Sequence, residues 1–571
     1  MRTVLRYIRP FIPRMSVGLF IKFFGTVMDL LLPGILAYVI DTVAPTRNVR
    51  DIWLWGGIML LCSIVGVVTN IAANRMAARV ARDTTEHLRH DLFDKALSLS
   101  SRQIDEVGIP SLETRLTTDT YQVHQMIGMM QRLGVRAPIL LIGGVIVTLT
   151  LDATLAMTLI SVLPFIALVV FLVSRRGIPM YTALQAQVDG MIRVVRENIS
   201  GIRVIKALSK TPYEKKRFEV SNEQVMQQER KAATTMALTN PLMNILLNLG
   251  LTLVVLVGAW QVNRGRSQPG TIIAFLSYFT IILNAMMSIT RMFVMYSKGT
   301  ASAGRIERIL HLPQDLREEN LPRVREDAHI VFDNVSFSYN GKYDDVQDIS
   351  FSLARGETLG IIGATGSGKS TLISLLMRLY DTDRGEVRID GRPVRSIPDA
   401  ELHRMFGVVF QNDTLFSDAI AQNIDFGRNL GEDALENAAR WAQAAEFIHA
   451  LPDGFSHMLS TRGTNLSGGQ KQRVLIARAL ASKPDVLILD DASSALDYKT
   501  DAALRGAIRD HFAGTTTLIV GQRVSSIMHA QHILVMAGGR MAGYGTHAQL
   551  MAENALYQEI YASQMGEGDA S

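Results

Sequence analysis

An all-α membrane domain of six helices followed by an α/β domain is the fold class this sequence predicts, and three observations carry it. Six apolar stretches in the first half each approach the length needed to cross a hydrocarbon core of about 30 Å. Strand-like and helix-like patterns alternate beyond residue 329, as in a sheet covered by helices. Within that second half stands Gly363-Ala364-Thr365-Gly366-Ser367-Gly368-Lys369-Ser370-Thr371, which fits G-x-x-x-x-G-K-[ST] between an apolar strand pattern and a helix pattern. At 571 residues the chain is too long for one ordinary domain, and a mean hydropathy of +0.17 is too high for a wholly soluble one. The predicted parts are a membrane domain over 1–305, a linker over 306–328 and the α/β domain over 329–571.

The spans read, in order, about Val17–Val43, Trp53–Ala73, Val135–Leu151, Ala153–Val173, Leu242–Val262 and Thr271–Val294. The basic start followed by an apolar run resembles a signal peptide, but the run is long and lacks a small-residue cleavage site, so a retained anchor is expected. The short odd-numbered connections hold only Arg47, Arg50, Arg264 and Arg266. Arg2, Arg6, Arg9 and Arg14, the run from Arg75 to Lys95 and the run from Arg175 to Arg217 lie on the other side. By the positive-inside rule both termini and the α/β domain are expected in the cytoplasm, with the spans in the cell's inner (plasma) membrane. That bias already accounts for the basic segments, so no nucleic-acid partner is expected. Cys62 is the only cysteine, which excludes an intrachain disulfide.

Residues 74–134 and 174–241 are charged and helix-patterned, so helices should continue out of the membrane and turn back near Gly108–Arg115 and Ser200–Pro212. Asp29 lies inside the first span, where an ionised carboxylate costs about 2.5–3.5 kcal/mol; it faces either a substrate or cation path, or a structural partner on a neighbouring helix. Methionines 126, 129, 130, 286, 287, 292 and 295 suit either adaptable apolar binding or simple packing.

The α/β domain opens on a half-buried strand pattern, Ile330–Tyr339. The glycines at 363, 366 and 368 let successive backbone N–H groups of the loop point into one concavity, and the helix that follows adds its positive end. In that reading Gly363, Thr365, Gly366, Ser367, Gly368, Lys369, Ser370 and Thr371 cradle phosphate, with Lys369 on the terminal phosphates and Ser370 in the Mg²⁺ shell. A buried strand, Val486-Leu487-Ile488-Leu489, ends in Asp490, the type of carboxylate that completes such a shell. Upstream, Ser467-Gly468-Gly469-Gln470 opens a helix whose N-terminus is either merely capped or ready for a second phosphate contact.

Phosphate loop, Leu466–Gln470 and Asp490, in this order and spacing, resemble the nucleotide-binding domain of ABC transporters, and the six spans with long extensions resemble the ABC exporter fold. The resemblance covers essentially the whole chain. It implies that Tyr339 stacks on adenine, that Gln411 touches Mg²⁺ and couples to the membrane domain, and that Ser494–Asp497 crosses a dimer interface. It further implies that the two turns are coupling helices and that Thr3–Pro10 is an elbow helix. In the family two such domains close head to tail over two ATP molecules, each held by one domain's phosphate loop and the other's Leu-Ser-Gly-Gly-Gln element. One copy of each implies a half-transporter that requires a second, with ATP and Mg²⁺ as ligands and membrane lipid around the spans.

Two departures from the family pattern fall on this chain's own nucleotide site. Asp491 stands where glutamate normally orients the attacking water; its carboxylate is drawn back by about 1–1.5 Å, and misplacement on that scale can lower a rate about a hundredfold. Gln522 stands where a histidine contacts the γ-phosphate; it can hydrogen-bond but carries no positive charge. Thr461 replaces a glutamate often found beside the signature element. The first two changes, with every ATP-holding motif intact, resemble the degenerate site of heterodimeric exporters, in which the partner chain supplies the catalytic glutamate and switch histidine. Export of a hydrophobic or amphipathic compound is the expected function. A siderophore-type importer of the same fold, a homodimeric exporter and a nucleotide-gated channel are the alternatives.

Overall fold

The computed structural model describes residues 2–565; the tail expected over 566–571 lies outside the described residues. Contacts divide the chain into two compact units, Met1–Leu97 with Pro110–Leu312, and Ser98–Ile109 with Pro313–Ser571.

The first unit is built from six helical spans, Thr3–Thr46, Val49–Leu97, Ile109–Leu151, Ala153–Ser200, Thr211–Asn263 and Pro269–Leu310. Each is apolar enough to cross a bilayer and all are longer than the roughly 20 residues a crossing needs, because the charged, helix-patterned continuations extend them. Trp53, Leu54, Leu60, Leu61, Ile64 and Val67 are exposed along one helix, an arrangement suited to lipid and not to water. Leu155, Leu159, Ile166, Phe275, Phe279 and Ile282 are fully buried and form the packed interior between helices. The Tyr278 hydroxyl donates to the Leu30 carbonyl at 2.7 Å, and Asp41 accepts from the Gly270 amide at 2.6 Å, tying the first and last spans.

Within this unit Asp29 has a partner of the kind the structural alternative expects. Its carboxylate pairs with Arg136 at 3.1 Å and approaches the Asn70 amide at 3.5 Å, while Asn70 and Asn74 hold the buried Lys22 ammonium at 2.8 and 3.0 Å. Gly66 makes room for it, since a Cβ there would stand 3.1 Å from Asp29 Oδ1.

Two boundaries differ from those expected. The last span runs to Leu310, so the first residues assigned to the linker are helical. The first turn lies earlier than Gly108–Arg115. Ser100 caps a short helix, Ser101–Val107, through a reciprocal capping box with Gln103, and Gly108 at φ +80° ends it. Helix Ile109–Thr114 is already on its way back. The second turn falls at Gly201, before the short helix Ile202–Ala207, inside the expected range.

Among the described residues of the second unit, ten strands form two sheets: β1 Ile330–Phe337, β2 Val346–Leu353, β3 Thr358–Gly363, β4 Arg384–Ile389, β5 Arg392–Pro393, β6 Phe406–Val409, β7 Val486–Asp490, β8 Thr516–Val520, β9 His532–Ala537 and β10 Arg540–Gly545. The smaller sheet runs β2-β1-β4-β5, with its pairs antiparallel. The larger runs β10-β9-β3-β8-β7-β6 and is parallel from β9 to β6. Strand β7 is buried along its whole length, as its unbroken apolar run requires. This order sets the carboxyl ends of β3, β8, β7 and β6 side by side, and loops at such ends are where α/β sheets hold ligands.

Candidate functional site

Those four strand ends carry the predicted residues. The phosphate loop follows β3, Gln522 follows β8, Asp490 ends β7 with Asp491 next to it, and Gln411 follows β6. Together Tyr339, Thr365, Gly366, Gly368, Lys369, Ser370, Thr371, Gln411, Asp490, Asp491 and Gln522 line one cavity of about 290 Å³, joined by Asp345.

Gly366 and Gly368 sit at φ +82° and +96°, the left-handed region open chiefly to glycine, and Gly368 leads directly into the helix Lys369–Leu376. Gly363 has no space for a side chain, since a Cβ would lie 2.2 Å from the Met536 carbonyl and 2.8 Å from Ser367 Oγ. Ser367 Oγ is buried without a hydrogen-bond partner, and neither Gly363 nor Ser367 is among the residues that line the cavity. The Lys369 ammonium donates to the Gly363 and Ala364 carbonyls, both at 2.9 Å. Burial pushes its pKa down, opposed by the charges of Asp490 and Asp491.

Ser370 Oγ donates to Asp490 Oδ2 at 2.8 Å. Burial pushes Asp490 up from the ordinary carboxylate range, and the Asp491 charge adds to this against Ser370 and Lys369. Burial likewise raises Asp491, with Arg523 and Lys369 opposing. The oxygens of Ser370, Asp490 and Gln411 fit a hard cation such as Mg²⁺. Among the described residues no group of three His, Cys, Asp or Glu that could hold a metal is gathered, here or elsewhere.

Tyr339, half exposed, offers its ring at the rim. Its amide donates to Asp345 at 2.8 Å and its hydroxyl reaches Thr371 at 3.4 Å. The ring stands edge-on to Phe337 and Tyr380, with centroids 4.8 and 5.1 Å away. Tyr380 in turn donates to Asp105 of the short helix Ser101–Val107 at 2.6 Å. Sequence reasoning missed Tyr380 and Asp105, because nothing local in either stretch marks a partner 275 residues away.

Ser467, Gly468, Gly469 and Gln470 do not line this cavity. Ser467 Oγ accepts from the Gln470 amide at 3.3 Å, and Gln470 Oε1 accepts from the Ser467 amide at 3.0 Å, so both side chains cap the helix Gly468–Ala481. A Cβ on Gly469 would lie 3.0 Å from the Ala495 carbonyl, so the element packs closely on the Ser494–Asp497 loop.

A membrane domain of six helices joined to an α/β domain with this nucleotide pocket defines an ATP-driven membrane transporter. Residues 15–286 match the ABC transporter transmembrane region and residues 346–494 the ABC transporter domain. YfiB of Bacillus subtilis (strain 168), described as an uncharacterized ABC transporter ATP-binding protein, is 35% identical over 574 residues, covering 100% of both chains. An ATP-dependent lipid A-core flippase of Methylococcus capsulatus is 31% identical across 89% of this chain and 85% of its own. The structure of a bacterial Atm1-family ABC exporter with ATP bound shares the fold, with a TM-score of 0.83 at 23% identity over 98% of this chain and 99% of that one. The chain belongs to the ABC transporters: a multi-pass membrane protein with six spans whose ATPase domain binds ATP and couples its hydrolysis to transport.

Proposed function

We propose that this chain is one half of a heterodimeric exporter of a hydrophobic or amphipathic compound, and that its own phosphate-loop site holds Mg·ATP but hydrolyses it slowly. The observation that carries this is the shared lining of one cavity: Asp491 and Gln522 take the places of the water-orienting and γ-phosphate groups, beside a complete set of ATP-holding residues. Tyr339 stacks the base, the amides of Gly366 to Ser370 surround the phosphates, and Lys369 turns from its loop carbonyls to the terminal phosphates. Ser370, Gln411 and Asp490 would hold Mg²⁺, which would neutralise charge on the phosphates. Asp491 keeps a negative charge near the attack path but falls short of it, and Gln522 donates a neutral hydrogen bond where a cation would draw charge from the γ-phosphate.

The separation of Ser467–Gln470 from this cavity supports completion of each site by a second domain. The intact signature element would complete the partner's site, which supplies the glutamate and histidine missing here. The termini and the ATPase domain face the cytoplasm in this reading, as the arginine and lysine distribution requires. A relative that flips a lipid, and another protein of the same fold that is an exporter, support outward movement of an amphipathic molecule.

The test is steady-state ATP turnover by the purified chain, alone and with Asp491→Glu plus Gln522→His. Near silence in the wild type and a gain on the order of a hundredfold in the double variant is the expected result. Brisk turnover by the unaltered chain would establish a competent homodimer instead.

A further inference from the structure

Gln522 is held from outside the nucleotide pocket. It lies on the loop after β8, with no regular structure of its own before the short helix Val524–Ile527. The helix Ala555–Met565 reaches this loop with Gln564. The Gln564 amide nitrogen donates to the Gln522 carbonyl at 2.7 Å, and its carbonyl oxygen accepts from the Val524 backbone amide, also at 2.7 Å. One side chain thus grips the main chain on both sides of Arg523. The helix carrying it is anchored by Tyr557, which is fully buried and bonded to His547 Nδ1 at 2.8 Å. Gln522 lines the cavity while Gln564 does not, so Gln564 acts only through the backbone it holds.

We propose that Gln564 is a positioning residue that fixes the Gln522 loop so that Gln522 meets the γ-phosphate, making the last helix of the chain part of the preference for ATP over ADP. This rests on Gln522 contacting the γ-phosphate. A loop tethered at one end only would sample orientations in which Gln522 turns away. The loss would fall on ATP and spare ADP, which has no γ-phosphate.

The experiment is equilibrium binding of radiolabelled ATP and ADP, with Mg²⁺, to the full-length chain in lipid nanodiscs. Wild type, Gln564→Ala, Gln564→Glu, Gln522→Ala and the Gln522→Ala/Gln564→Ala pair are compared. Losing hydrogen bonds of ordinary strength should lower the ATP-to-ADP affinity ratio about 3–10-fold in Gln564→Ala, with ADP affinity unchanged. Gln564→Glu keeps the acceptor for Val524 but sets a carboxylate oxygen against the Gln522 carbonyl, and should lower the ratio at least as far as Gln564→Ala. The double variant should be no worse than Gln522→Ala alone, because both act through one contact. Equal loss of ATP and ADP binding, an unchanged ratio in Gln564→Ala, or additive losses in the pair would overturn the inference. If Gln522→Ala itself leaves the ratio unchanged, the assignment of Gln522 to the γ-phosphate falls as well, which separates the two failures.

Discussion

Asp491 differs from glutamate by a methylene, and its backbone sharpens the difference. It sits at φ +54°, a left-handed conformation that aspartate and asparagine tolerate better than longer side chains. Thr365 to Thr371 were legible because a strand, a glycine loop and a helix occur together in sequence, whereas Tyr339, Gln411, Asp491 and Gln522 came from the resemblance to a family. The positive φ at Asp491 was not legible, since no local pattern reports a strained strand end. Ser467 belongs to the same scale. Replacing it with alanine removes the cap of the helix Gly468–Ala481 and should destabilise the domain by about 1 kcal/mol. Because Ser467 lies outside the cavity, the affinity of the isolated chain for ATP should stay within twofold or so, while ATP-driven association with a partner domain should be lost; calorimetry and size-exclusion chromatography with ATP read the two effects.

Among elements, the parallel strands were the most readable, because strands buried on both faces are written as unbroken apolar runs. The turn between the second and third spans was read too late. Gly108-Ile109-Pro110 is a conspicuous breaker, whereas the Ser100–Gln103 capping box that begins the turn helix is a quieter signal. His329 shows an element-level constraint with no sequence mark. It precedes β1, is buried, and places Nδ1 2.6 Å from Thr516 Oγ1 on β8, linking the two sheets. Burial and the Arg355 charge push its pKa below the ordinary value, against Asp390 and Asp485. The unfolded chain therefore takes up a proton near pH 6.5 that the folded domain refuses, so stability is retained above that pH and is lost as pH falls through it toward the folded value. Thermal unfolding followed from pH 7.5 to 5.5 should show this decline, and His329→Gln should flatten part of it. Equal slopes in the two proteins would exclude the residue as a cause.

The whole molecule follows from two kinds of pattern that barely interfere. Apolar length sets the six spans, and alternation with glycine punctuation sets the ATPase unit. What remained open in the sequence was whether Asp29 served a transport path or a structural contact, because that depends on Arg136, Asn70 and Lys22 coming together from three different spans. Asp29 pairs with Arg136 at 3.1 Å, which supplies the structural contact. The proposed asymmetric cycle, in which ATP binding would close two unlike halves and hydrolysis at the partner's site would reopen them, rests on slow chemistry at Asp491 and Gln522. The most direct test is a single-turnover experiment. The purified chain is mixed with a stoichiometric amount of labelled Mg·ATP, and the nucleotide still bound is recovered and identified over minutes. The account predicts that the retained nucleotide is ATP, and that it becomes ADP in the Asp491→Glu/Gln522→His variant. Recovery of ADP from the unaltered chain on the timescale of an ordinary transporter, on the order of a second or less, would contradict it.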